Sequence, residues 1–212
     1  MNILVVGMHK SGSTALFNII RFCFIGRGDS IYSTWYGNYN EKNRKKINLV
    51  KIHNFDESLK DWADIIFNPK RGIRDSMSSN KRCLAEIRPW DKYDFEELLV
   101  RVAKQYASWK PYADYEFVYE DFIDNPTKII SEIAETLCVS VNPQNIYDSL
   151  MALTLNKNKK FGLQTPYVMC SPLSIGEMKV GGYNKYLTKE DLEIIEEYEK
   201  HNQDIMELRD RR

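Results

Sequence analysis

The stretch ILVVGMHKSGSTALF, residues 3–17, reads as a buried strand that turns sharply into a helix. The aliphatic run Ile3 to Val6 suits a strand covered on both faces, and Ala15, Leu16, Ile19, Ile20 and Cys23 then recur at helical spacing. Between them lie Gly7, Lys10, Ser11, Gly12, Ser13 and Thr14. A glycine turn that enters a helix at the carboxyl end of a strand aims free backbone N–H groups at an anion. In the loop that grips a nucleoside triphosphate, a lysine directly follows the second glycine. Here Ser13 stands at that place and the lysine sits inside the loop as Lys10.

Short apolar runs at 2–6, 47–52, 63–67 and 115–119 read as further strands, separated by helical segments. That alternation predicts an α/β fold, a three-layer sandwich around a central, largely parallel sheet. Asn125-Pro126 offers a helix cap with proline at the first helical position, followed by the apolar face Ile129, Ile130, Ile133, Ala134 and Leu137. Thr188 with Asp191 resembles a capping box, and Leu192, Ile195 and Tyr198 continue its helix. Residues 26–46, 84–92 and 154–182 carry polar, glycine or proline punctuation and read as long loops.

A chain of 212 residues is expected to form one domain, 1–212, with a substantial core. Thirty basic residues balance thirty acidic ones, so no global field recruits nucleic acid or an anionic membrane, and any anion site must be local. No segment reaches about 18 uninterrupted apolar residues, and no signal-peptide core is visible, which predicts a cytoplasmic protein. Cys23, Cys83, Cys138 and Cys170 are scattered without metal-ligand spacing and read as reduced, buried thiols.

Two further motifs carry chemistry. In VKIHNF, residues 50–55, Lys51 and His53 are two apart at a strand end, so alternation puts them on one face. An ammonium and an imidazole there would converge on whatever Lys10 holds, and histidine is suited to accept a proton near neutral pH. The stretch NPKRGIRDSMSSNKR, residues 68–82, follows another strand and turns through Pro69 and Gly72 into a hydroxyl-rich helix. It reads either as a solvated charged face or as a second phosphate pocket.

In this order along the chain, the motifs resemble the sulfotransferases that use 3′-phosphoadenosine 5′-phosphosulfate (PAPS). HKSGST, residues 9–14, looks like their 5′-phosphosulfate loop, and VKIH, residues 50–53, is similar to their Lys-x-His strand end. Arg71 and Ser79 fall at the spacing of the arginine and serine that grip the 3′-phosphate in that family. VYEDFIDNP, residues 118–126, resembles its Tyr-Glu-Asp-Leu segment, and GGYNKYLT, residues 181–188, its glycine-aromatic end of the cofactor region. The likeness runs in short islands from about residue 2 to 195. Animal cytosolic members carry Arg-Lys-Gly where this chain reads Gly176-Glu177-Met178, with Lys179 as the neighbouring cation, and Gly72 stands where many members have Asp or Asn. The chain looks more like the compact microbial group.

The resemblance implies a P-loop-NTPase-like fold, PAPS as donor, adenosine 3′,5′-bisphosphate as product and no required metal. It assigns His53 as the base, Lys10 to the bridging oxygen and Lys51 to the transferring group. Ser11, Gly12, Ser13 and Thr14 would hold the 5′-phosphate together with Lys10, and Arg71 and Ser79 the 3′-phosphate. The acceptor would be a hydroxyl, with an amine second, on a small molecule or carbohydrate, and no nucleic-acid or membrane partner is expected. Tyr32, Trp35, Tyr36 and Tyr39 are candidates to line the acceptor pocket or else pack locally; Trp90 and Tyr93, and residues 156–182, are candidate lids. An ATP-dependent small-molecule kinase and a catalytically idle nucleotide binder of the same fold are the alternatives.

Overall fold

The computed structural model describes residues 1–85, 91–155 and 180–202. Five strands, β1 (Asn2–Val5), β2 (Ile31–Trp35), β3 (Ile47–Lys51), β4 (Ile65–Lys70) and β5 (Tyr115–Val118), form one sheet in the order β2-β3-β1-β4-β5. Every pairing is parallel. The helices are α1 (Ser13–Ile25), α2 (Glu57–Trp62), α3 (Ile73–Ala85), α4 (Lys92–Trp109), α5 (Tyr119–Asp124), α6 (Pro126–Thr136), α7 (Pro143–Leu155) and α8 (Lys189–His201). Because β1 lies between β3 and β4, the chain leaves it toward one edge of the sheet and later returns to the other. The turn after β1 therefore opens where an α/β sheet places its ligand crevice.

Strand alternation splits the core into layers. Ile3 and Val5 face one side with Leu16, Ile20, Phe117, Ile130 and Ile133, joining α1, α5, α6 and α7. Leu4 and Val6 face the other with Val50, Ile66, Leu59 and Trp109. A third cluster seats Met8 of the turn among Ile73, Met77, Val102, Tyr106 and Ile195, so α3, α4 and α8 anchor the site from below. Asn125 caps α6 through Lys128 N, and Thr188 and Asp191 form a reciprocal capping box at α8, as their spacing predicts.

Three expectations need correction. Residues 26–46 are not one irregular loop, because β2 runs through them followed by two short 3-10 turns. Its sequence, IYSTW, buries Ser33 and Thr34 rather than an aliphatic run, but its β-branched and aromatic content is what a strand accommodates. The strand expected at 63–67 lies at Ile65–Lys70 and carries Pro69. Phe67 gives its carbonyl to Val6, so Pro69 two residues on faces the same side, beyond the last β1 partner, and no ladder donor is missed. Cys23 and Cys83 are buried, whereas Cys138 is exposed: it leaves α6 with φ 54°, past the apolar stripe that ends at Leu137. Cys170, Trp90 and positions 176–179 lie outside the described residues, as does nearly all of the expected 156–182 lid, and of Tyr93 only the backbone, in α4, is described. Among the described residues no helix is long and apolar enough to cross a membrane.

Candidate active site

The turn between β1 and α1 is built from left-handed backbone. Gly7, Lys10 and Gly12 have φ of 83°, 60° and 85°. Both glycines are also sterically required: a Cβ on Gly7 would lie 2.1 Å from Asn68 Oδ1, and one on Gly12 would lie 2.3 Å from Tyr119 Cδ2. Lys10 adopts the same region with a side chain, a conformation that costs on the order of 1–3 kcal/mol and gathers at ligand sites. Ser11 is fully buried and donates from Oγ to Met8 O at 2.7 Å, which closes the turn from inside. Gly12 then caps α1 without any side-chain cap and with no acidic residue in the first turn. The positive end of the helix dipole is therefore not offset by any carboxylate in the first turn.

The neighbouring strand ends at Lys51, and His53 follows two residues beyond it. Lys51, only 5% exposed, donates from Nζ to Thr14 Oγ1 at 3.0 Å. His53 places Nδ1 2.7 Å from Gly7 O. A carbonyl only accepts, so Nδ1 carries the hydrogen and Nε2 keeps a lone pair. Burial first, then the nearby His9, Lys51 and Lys10, hold His53 well below the usual imidazole value of 6.5, against the opposite pull of the Gly7 carbonyl. At neutral pH the ring is therefore an uncharged base with a defined tautomer.

The segment 68–82, expected as a second phosphate pocket or a solvated face, is tied to the turn after β1. Arg71 donates from Nη1 to Lys10 O at 3.3 Å, and its guanidinium carbon stands 4.5 Å from the centre of the Tyr119 ring. That same ring limits the space at Gly12. Glu120, the next residue, accepts from Gly72 N at 2.8 Å, so the VYED segment braces both turns. Asp75 lies one turn into α3, 3.9 Å from Arg71 Nη2, and accepts from Gly181 N at 2.7 Å. The GGYNKYLT segment is thereby tied to the same pocket. Ser79 sits one turn beyond Asp75 on the same side of α3, half-buried.

Several participants carry no role in the sequence reading. His9 meets the His53 ring edge-to-face, with centroids 3.9 Å apart. Burial, then Lys51, Arg101 and Lys10, lower its pKa to about 4. Gln105 of α4 accepts from His9 N at 3.3 Å and donates to Asn54 Oδ1 at 3.0 Å. Of the four aromatics near β2, Trp35 approaches His53 at 5.3 Å between ring centroids. Tyr36 instead bonds Asp56, Tyr32 and Tyr39 pack on each other, and Tyr39 also meets the Trp62 ring. Local packing thus claims three members of the group, and Trp35 lies beside His53.

No family model matches the chain, and no curated protein matches it in sequence. Its fold, however, is shared with solved structures. The mouse sulfotransferase SULT7A1 complexed with PAP superposes with a TM-score of 0.73 at 16% identity, over 97% of this chain and 84% of the mouse protein. Retinol dehydratase, in complex with androsterone and the inactive cofactor PAP, gives 0.69 at 14% identity over 100% of this chain and 82% of its own. The same protein with retinol and PAP gives 0.65 at 16% identity, again over 100% and 82%.

Proposed function

We propose that the chain is a PAPS-dependent sulfotransferase of the cytoplasm, transferring a sulfuryl group to a hydroxyl, with an amine as second choice, on a small-molecule or sugar acceptor. The observation that carries this reading is the convergence of one uncapped glycine turn, Lys51 and a neutral His53 on a single point at the sheet edge. The structures that share the fold hold PAP, adenosine 3′,5′-bisphosphate, and two of them also hold androsterone or retinol. That supports a search that starts among small molecules.

The residues suit such a donor. The N–H groups at Gly12, Ser13 and Thr14, where no side chain caps the helix, and the dipole of α1 favour a 5′-phosphate, and no carboxylate in the first turn of α1 opposes it. Arg71, with Ser79 farther along α3, offers a cation and a hydroxyl for the 3′-phosphate that separates this nucleotide from ATP. PAPS supplies the sulfuryl group: the acceptor oxygen forms a bond to sulfur, the bridging S–O bond breaks, and its electron pair leaves on the phosphate oxygen. His53 Nε2 takes the acceptor proton. Lys10 stabilises charge that grows on the bridging oxygen, and Lys51 neutralises the transferring group while holding Thr14 in place. One such preorganised donor is worth about 3 kcal/mol of barrier.

Ser13, standing where a triphosphate loop has its lysine, weighs against a magnesium-dependent kinase. Calorimetric titration with adenosine 3′,5′-bisphosphate, ADP and ATP, each with and without magnesium, separates the two. Metal-independent selectivity for the 3′-phosphorylated nucleotide is the expected result. Selective, magnesium-dependent ATP binding overturns the proposal.

A further inference from the structure

We propose that His9 is a positioning residue for His53: its imidazole packs edge-to-face against the His53 ring and keeps that ring oriented and dry, so that Nε2 is presented as a proton acceptor. The role of His53 as base rests on the sulfotransferase reading; the way His53 is held does not.

Three observations fix His9 in this position. Its ring centroid lies 3.9 Å from that of His53 at an interplanar angle of 84°. Its backbone is held on both sides, with N–H donating to Gln105 Oε1 at 3.3 Å and the carbonyl accepting from Ser76 Oγ at 2.7 Å. The buried Gln105 also donates to Asn54 Oδ1 at 3.0 Å, and Asn54 directly follows His53. One glutamine of α4 therefore ties together the two segments that carry the two rings. The left-handed Lys10 comes next in the chain and fixes the direction in which the turn leaves His9.

Charge excludes a role for His9 as a cation. Lys10 from the turn, Lys51 from β3 and Arg101 from α4 all disfavour its protonation, and burial adds the largest contribution, which lowers its pKa to about 4. His53 faces His9, Lys51 and Lys10 in turn. Both rings are neutral at neutral pH, and what His9 contributes is shape and exclusion of water rather than charge or a proton. Phenylalanine retains that shape and alanine removes it.

The test is an NMR titration of the labelled His53 imidazole in the wild-type chain, His9→Ala and His9→Phe, with turnover measured alongside. In the wild type and His9→Phe, His53 is expected to hold its proton on Nδ1 and to titrate well below 6.5. In His9→Ala the ring is expected to mix tautomers and its midpoint to rise toward 6.5, with kcat falling up to about 100-fold, the scale of an ångström-sized misplacement. His9→Phe should recover most of that loss. His9→Asn, which keeps a polar side chain without the ring, replaces His9→Ala should the latter fail to fold. An unaltered His53 titration in the ring-less variant overturns the proposal, and so does a His9→Phe chain that behaves like His9→Ala. The titration needs no sulfuryl transfer, so failure of the enzymatic reading would appear separately, as absent adenosine 3′,5′-bisphosphate binding.

Discussion

The two strand-to-helix turns at the carboxyl edge of the sheet, β1 into α1 and β4 into α3, solve one geometric problem in opposite ways. The first spends left-handed backbone at Gly7, Lys10 and Gly12 and leaves the start of α1 without a side-chain cap or an acidic residue. In the second, Glu120 accepts from Gly72 N, and Asp75 in the first turn of α3 accepts from Gly181 N. Glu120 thus takes a main-chain donor of the second turn, Asp75 lies 3.9 Å from Arg71, and the positive charge there is a side chain, Arg71. On the proposed function, two adjacent copies of one supersecondary element would read a ligand through main chain in one case and through side chain in the other. The first turn should be intolerant of added bulk and the second of lost charge.

The largest effect expected belongs to the base beside the first turn. His53→Ala should lower turnover by about 10²- to 10⁴-fold, the usual contribution of a positioned general base. Binding of adenosine 3′,5′-bisphosphate should remain close to native, which calorimetry checks. Native turnover in the variant removes His53 as the base. The same residue sets the pH dependence. A base works when unprotonated, so kcat/KM rises with pH through the folded pKa of His53, and that value lies well below 6.5. The profile should be flat from about pH 6.5 to 8, and an acid limb centred near 6.5 would show that His53 is not buried as described.

Next comes bulk in the first turn. Gly12→Ala puts a Cβ 2.3 Å from the Tyr119 ring on a backbone at φ 85°. Overpacking and strain together predict a loss of about 2–4 kcal/mol in unfolding free energy, and nucleotide affinity should fall with it. Gly28→Ala is the control, because Gly28 has a similar φ of 77° but nothing within 4 Å of an added Cβ. It should cost only about 1 kcal/mol and leave binding alone. Equal losses in denaturant melts of the two variants would mean that backbone strain, and not the Tyr119 contact, makes the first turn intolerant.

Much of this comparison was legible in the sequence, and the rest was hidden for a physical reason. The glycine turn, the strand before it and the caps of α6 and α8 depend on residues within a few positions of one another, so spacing reveals them. Lys51 and His53 were visible as a pair; β3 ends at Lys51, so alternation does not carry to His53, yet Lys51 reaches Thr14 at the start of α1 and His53 reaches Gly7 of the turn. What spacing could not reveal were ties across the chain: Tyr119 against Gly12, Glu120 on Gly72, and Gln105 bridging His9 to Asn54. The VYED segment was visible as a motif, but its role depends on β5 ending beside β4, a fact of topology. β2 escaped because its two buried residues, Ser33 and Thr34, carry hydroxyls, and hydropathy cannot distinguish that from a loop.

Loss of charge in the second turn is a smaller effect than loss of the base. Arg71→Ala should weaken adenosine 3′,5′-bisphosphate binding by about 1.5–3 kcal/mol, the range for a charge-assisted hydrogen bond, and should leave ADP binding nearly untouched. Equal weakening of both nucleotides would mean that Arg71 acts only by holding Lys10 O, and no change in either would move the 3′-phosphate role to Arg74.

Ser79→Ala should have the smallest effect, and it decides how far along α3 the second pocket extends. Ser79 is half-buried and lies two turns beyond Arg71 on the side that also carries Asp75. A neutral hydroxyl on a phosphate contributes about 1 kcal/mol, roughly a fivefold change in dissociation constant. If Arg71 and Ser79 grip one phosphate, the two substitutions should be non-additive, because each leaves the other's partner displaced. A double-mutant cycle read by calorimetry measures that coupling. Additive losses would place Ser79 outside the pocket and confine 3′-phosphate recognition to the turn itself, where Arg71, Tyr119 and Glu120 already converge.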